Sequence, residues 1–282
     1  MKKIALLYLF LLTIVPLSYS QISDLEKNAL IDLYNSTNGD SWNNTWDLNE
    51  NSTNWYGITV EKNTVTEINL SMNNLNGQIP TSIENLKSLQ TLNLGFNKIT
   101  GTIPNQITSC TSLTSIQLFM NQIEGEIPAN IGNLENLNEL ILFNNQLSGY
   151  LPNSIYDIEN LETLHVSSNN LTGTISTKIE NLKNLITLSV FDNSMYGDIP
   201  SSIGSLPNLK ELTLANNLFE GELPIELGNL SKLEILLLNN NRFIGSIHES
   251  IKNLPRLVNL DFKNNPKKIE VLTNTVSVVT PQ

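Results

Sequence analysis

Cysteine is almost absent from this 282-residue chain: Cys110 stands alone, so no disulfide can close within it. Histidine is nearly as scarce, with only His165 and His248. A nucleophile, a base and an orienting group therefore have few ways to assemble, and no spacing of Cys, His and carboxylates matches a zinc site. Scattered Asp and Glu on an open surface have no cleft to set their pKa values apart as a glycosidase pair requires. No enzyme activity, cofactor or metal is expected. Basic residues are the next shortage: 16 Lys and Arg against 27 Asp and Glu give a formal charge of −11. Such a surface repels phosphate backbones, which argues against nucleic acid as a partner. Long apolar runs are missing with one exception, Ile4 to Val15, which follows Lys2 and Lys3 and precedes Ser18-Tyr19-Ser20. That pattern predicts a secretory signal peptide over residues 1–20, with an apolar part too short for a membrane span. Its removal takes two lysines and moves the formal charge from −11 to −13. The expected location is secreted or extracellular (periplasmic or outer surface in a bacterium), without membrane insertion.

What the chain does have is a strict period. Apolar residues open successive units at Val65, Leu89, Leu113, Leu137, Leu161, Leu185, Leu209, Leu233 and Leu257, each step being 24 residues. Eight residues after each start stands an asparagine: Asn73, Asn97, Asn121, Asn145, Asn169, Asn193, Asn217, Asn241 and Asn265. In the unit that begins at Leu113, alternation predicts a short strand with Ile116 and Leu118 inward and Ser115, Gln117 and Phe119 outward. Ile123, Ile127, Ile131 and Leu134 bring the chain back around the same interior. One such coil cannot bury its apolar side alone, whereas stacked coils share a continuous core. The asparagine leaves the strand where the backbone turns, and its amide can satisfy turn groups of its own and adjacent coils. The asparagine row is therefore read as a structural ladder. Cys110 takes the interior position held by Leu86, Leu134, Leu182 and Leu206 elsewhere, and is read as a core thiol with a raised pKa.

These units resemble the plant-type class of the leucine-rich-repeat family. The segment that carries the resemblance is Gly-x-Ile/Leu-Pro, at Gly77 to Pro80, Gly101 to Pro104, Gly125 to Pro128, Gly149 to Pro152, Gly197 to Pro200 and Gly221 to Pro224. Ser176 and His248 replace the proline in two units, which predicts slightly looser coils there. The resemblance implies an α/β solenoid: a right-handed superhelix with a parallel sheet on the concave side and turns or 3-10 segments on the convex side. The expected organisation is a signal peptide over 1–20, an N-terminal helical and aromatic cap over 21–64, repeats over 65–265, and a C-terminal cap or tail over 266–282. Within the first cap, Ser23-Asp24-Leu25-Glu26 reads as a capping box opening a helix with Leu25, Ala29 and Leu33 on one face. Trp42, Trp46 and Trp55 read as a lid over the first coil. Plant relatives bracket the Trp-x-Gly segment with a cysteine pair; here Thr53 and Val60 stand where those cysteines are expected. The cysteine-poor cap and the short lysine-led leader point to a bacterial, secreted member.

Read in columns, the outward strand positions are mostly small and polar. The exception is a cluster of Phe96, Phe119, Met120, Ile141 and Phe143, with Phe191 farther along. Phe119 and Phe143 fall in consecutive units, close enough to stack. Two readings stay open: a binding hot spot on a rigid wall, or packing over the sheet margin. Glu139 and Glu211 nearby favour a partner with some positive charge, and His165 is read as a contact. An extracellular protein or peptide is the partner that the resemblance implies. Polysaccharide is the alternative, and ice or surface templating a lesser one.

Overall fold

The computed structural model describes residues 22–266. The expected leader and the segment 267–282, with its alternating Val276 and Val278, lie outside the described residues.

Helix α1 (Asp24–Ser36) opens on the capping box: Ser23 Oγ accepts the Glu26 N–H at 3.2 Å, and Glu26 Oε2 accepts the Ser23 N–H at 3.1 Å. The helix is rotated from the expected face. Leu25 is 64 % exposed, and Glu26, Ala29, Leu30, Leu33 and Tyr34 are buried. The reason is Glu26 itself, whose Oε1 accepts the buried Val65 N–H at 3.0 Å and so turns inward against the first repeat. The three tryptophans are buried, with Trp46 stacked on Trp55 at 4.7 Å and Trp42 edge-on to Trp46 at 4.9 Å. Their indole N–H groups donate to Thr37 O, Tyr56 O and Asp47 O. Burial with every donor satisfied makes them a lid and leaves no exposed ring for a ligand.

Strand β1 (Ile58–Glu61) pairs antiparallel with β2 (Thr64–Asn69). From there every pairing is parallel: β3 (Thr91–Asn93), β4 (Ser115–Gln117), β5 (Glu139–Ile141), β6 (Thr163–His165), β7 (Thr187–Ser189), β8 (Glu211–Thr213), β9 (Ile235–Leu237) and β10 (Asn259–Asp261). They form one ten-stranded sheet in chain order. Each residue faces its counterpart one period away, so that Leu164 lies between Leu140 and Leu188. In the last unit Leu257, Leu260 and Phe262 are only partly buried, whereas Leu113, Ile116 and Leu118 are buried, as are their equivalents along the stack as far as Leu233, Leu236 and Leu238. Each such side chain contributes about 1.5–3 kcal/mol of burial. The chain returns through 3-10 segments, among them Asn105–Ser109 and Thr177–Asn181, and in the last full coil through the short helix α2 (Glu249–Lys252). A second, discontinuous run of parallel pairs occupies the flank, including Tyr196–Gly197, Leu218–Glu222 and Arg242–Ile244.

Asn121 shows how the ladder works. Its Nδ2 donates to Leu118 O at 3.0 Å in its own coil and to Leu94 O at 2.9 Å in the preceding one, while its Oδ1 accepts the Ile99 N–H at 2.9 Å. Asn145, Asn169, Asn193, Asn217 and Asn241 repeat this set. Asn97 and Asn265 make equivalent bonds, and at the first rung Asn73 exchanges bonds with Asn44 of the cap. A second row was not foreseen. Asn136, Asn160, Asn184 and Asn208 each donate to a backbone carbonyl of the preceding coil.

The two coils without proline are not left loose. Ser176 Oγ accepts the Lys178 N–H at 3.2 Å, and the Ser176 N–H, a donor that proline lacks, reaches Tyr156 Oη at 3.1 Å. His248 Nδ1 accepts the Ser250 N–H at 3.1 Å. Side-chain caps thus replace ring stiffness. Cys110 is fully buried; its Sγ donates to Ile83 O at 3.2 Å, and burial pushes the thiol up to about 11.

Candidate functional site

The outer face of the sheet divides along its length. At the N-terminal end four rings form a continuous ladder. Phe96 meets Phe119 edge-on at 5.1 Å, Phe119 stacks on Phe143 at 4.9 Å, and Phe143 stacks on His165 at 4.6 Å. Gly95 makes room for it: a Cβ there would lie 2.7 Å from the Phe119 ring, which leans over the preceding rung. Ile141 ends β5, level with Gln117 and His165 on the neighbouring strands, and is half-buried. Glu139 begins the same strand. Its Oε2 accepts from Ser115 Oγ at 2.9 Å and from Gln117 Nε2 at 3.2 Å, which aims the carboxylate across the face. Burial lowers the His165 pKa, so the imidazole joins the ladder as a neutral ring.

The remaining expected residues fall less neatly. Phe96 and Met120 do not point from the strands; they sit at the turn edge with φ of 53° and 52°. Met72, which the sequence reading passed over, occupies the same column one unit earlier at φ 56° and is 68 % exposed. Reading the eighth position of each unit as a column of its own would have found it. Phe191 is exposed but lies beyond the ladder, and no ring pairing joins the two among the described residues. The rungs beyond the ladder are not the open polar wall that alternation implies. Ser167, Ser189 and Thr213 are buried, with Ser167 Oγ and Ser189 Oγ at 2.6 Å and Thr213 Oγ1 donating to Ser189 Oγ at 2.5 Å. Their hydroxyls satisfy one another.

Among the described residues no group of three or more His, Cys, Asp and Glu is placed to hold a metal, and no helix is long and apolar enough to cross a membrane.

Leucine-rich-repeat models match residues 63–123 and, as single units, 136–158, 160–182, 208–230 and 232–254, together more than half of the chain. No curated protein sequence matches it. Among solved structures it is similar to the plant peptide hormone receptor RGFR1 in complex with RGF2, with 34 % identity, a TM-score of 0.66, and coverage of 67 % of this chain and 30 % of that one. It is also similar to the ectodomain of the Arabidopsis receptor kinase HAESA in complex with an extended IDA peptide hormone, with 30 % identity, a TM-score of 0.74, and coverage of 86 % and 41 %. A plant ice-binding protein shares the fold, with 23 % identity, a TM-score of 0.78, and coverage of 88 % and 81 %. The chain spans less than half the length of these receptor chains. Repeat models, sheet topology and structural neighbours agree: the chain belongs to the leucine-rich-repeat family.

Proposed function

We propose that this protein is a non-catalytic, extracellular recognition module that binds a protein or peptide on the N-terminal part of its sheet face. The observation that carries the reading is the ladder Phe96–Phe119–Phe143–His165, held at ring-stacking distance on a rigid wall. Aromatic rings fixed by a scaffold lose little freedom on contact, which is why they dominate binding energies elsewhere. Met72 and Met120 extend the apolar strip along the turn edge, and methionine adapts its shape to a partner. Glu139 supplies an oriented acceptor at the ladder's side and favours a partner with a basic group. The peptide-binding receptor ectodomains among the structural neighbours support the same assignment and the extracellular placement. The basic, apolar and small-residue order of residues 1–20 supports export as well.

A displayed random-peptide library panned on the immobilised chain tests this. Enriched peptides should bind the wild type and lose about 30-fold or more against Phe119→Ala/Phe143→Ala, the equivalent of one hot-spot side chain of ~2 kcal/mol. The thermal melt should stay nearly unchanged. Peptides that bind both proteins equally would remove the assignment.

A second reading, surface templating, rests on a different observation. Asn216, Asn240 and Asn264 are linked through their side-chain amides at 2.5 and 2.6 Å, a row half-buried at Asn216 and exposed at Asn240 and Asn264, with strand-to-strand spacing. A freezing-hysteresis measurement decides it: activity lost on replacing Asn240 would support it, and a blank would end it.

A further inference from the structure

Three grooves run along the flank where the second set of parallel pairs lies. One contains Glu126 and another contains Glu222 and His248. The middle groove, about 440 Å³, differs from both: among its lining residues Tyr150, Pro152, Tyr156, Thr174, Ser176 and Tyr196, and the rest of its wall, none is charged. In a chain with 27 acidic residues that is a local exception. It also gathers three of the seven tyrosines, together with one of the two places where the repeat abandons proline.

Each departure from the repeat has a consequence at this groove. Tyr150 packs against Gly173, where a Cβ would come within 2.4 Å of its ring. The side chain is 63 % exposed, which leaves much of the ring open as a platform. Gly173 holds a φ of +84°, so the position is closed to ordinary side chains twice over. Tyr196, 47 % exposed, stands two coils further on, about 10 Å along the stack at strand spacing. Beneath them Tyr156 is 1 % exposed, and its hydroxyl accepts the Ser176 N–H at 3.1 Å. Burial pushes its pKa up, against the pull of that N–H, so the phenol keeps its proton. No acceptor for that proton stands among the described residues. A buried donor without an acceptor at the floor of a groove calls for a ligand or water oxygen.

We propose that this groove is a second binding site, separate from the sheet face, for a neutral oligosaccharide. Pyranose rings offer apolar C–H faces for the Tyr150 and Tyr196 platforms and hydroxyls for the Tyr156 O–H, Thr174, Ser176 and Asn153. An uncharged lining leaves no unpaired charge against a neutral sugar, whereas an acidic polysaccharide would meet the chain's negative field without a cation to answer it. The two-coil span suits a short stretch of a linear polymer.

Native electrophoresis of the full chain through gels containing hydroxyethylcellulose, mixed-linkage β-glucan, glucomannan or polygalacturonate tests the site. Retardation by at least one of the three neutral polymers is expected, and none by polygalacturonate. Tyr150→Ala and Tyr196→Ala should each weaken the association at least 10-fold, Tyr150→Phe should retain it, and Tyr156→Phe should weaken it several-fold. Phe119→Ala/Phe143→Ala should leave it intact, which separates this site from the sheet face. The melts of Tyr150→Ala and Tyr196→Ala should match the wild type, because both side chains are exposed. Absence of retardation in every neutral gel would overturn the proposal. So would retardation indifferent to the tyrosines, or a proline-rich peptide as the ligand that the tyrosine variants lose.

Discussion

The two ends of one sheet face use the same backbone for different surfaces. In the turn-edge column φ is 56° at Met72, 53° at Phe96 and 52° at Met120, and 55° at each of Asn216 and Asn240, with 57° at Asn264. The left-handed region suits asparagine, whose short amide bonds locally, and penalises a bulky side chain. The C-terminal end takes the residue that the backbone prefers and links its amides into a row. The N-terminal end places large apolar side chains there, exposed, beside the ring ladder. Since the backbone is the same, stability does not explain the difference; a local rule broken without a folding benefit points to contact with something else.

If that reasoning holds, the scaffold beneath both ends should be interchangeable. Asn121→Ala, under the aromatic end, and Asn217→Ala, under the amide end, each leave one N–H (Ile99 or Met195) without a partner and take one of two donors from each of two carbonyls. Both should lose about 2 kcal/mol in urea unfolding, given the penalty for one buried unpaired N–H. A much larger loss at one end would show that the halves differ in the frame and not only in what they display.

The surface substitutions should separate stability from binding. Replacing Met72, Phe96 and Met120 by Asn should gain about 0.5 kcal/mol at each position as left-handed strain is relieved. The same triple variant should lose roughly 10-fold in affinity for the peptides selected on the wild type. Asn144→Met runs the exchange backwards and should lose about as much stability as each single replacement gains. Unchanged affinity in the triple variant would confine the site to Phe119, Phe143 and His165.

Much of this was legible in the sequence because a 24-residue period forces equivalent residues into equivalent environments. Strand starts, core positions and the asparagine row all follow from one unit. What escaped was whatever depends on the neighbouring coil. Alternation marks Ser115, Ser167 and Ser189 as outward, but only three dimensions show Glu139 and Gln117 bonded over Ser115, or Ser167 and Ser189 bonded together. The Leu25 misreading has a similar origin: Glu26 was assigned to its capping box, while its second oxygen was taken by Val65, far away in sequence. The tyrosine groove escaped because Tyr150, Tyr156, Ser176 and Tyr196 occupy different positions in three different units, so no column collects them.

The smallest expected effects are in pH dependence, and the two halves should carry opposite signs. Burial lowers the His165 pKa, so the unfolded chain takes up a proton that the folded ladder resists. The stability associated with a neutral His165 is complete above the ordinary imidazole value of about 6.5 and is lost as the pH falls below it. Glu211 lies on β8 between Thr187 and Ile235, with no cation beside it in the strand register, and burial raises its pKa. Its contribution is therefore fully present below the ordinary carboxylate range and is lost as the pH rises through the folded-state value. Urea midpoints followed from acid to neutral pH should show His165→Gln flattening the upper part of the profile and Glu211→Gln the lower. In Glu211→Gln the neutral-pH midpoint should rise slightly, since a half-buried charge has been removed. A fall there would mean that Glu211 is paired in solution and that the hydroxyl end of the face is less neutral than its geometry indicates.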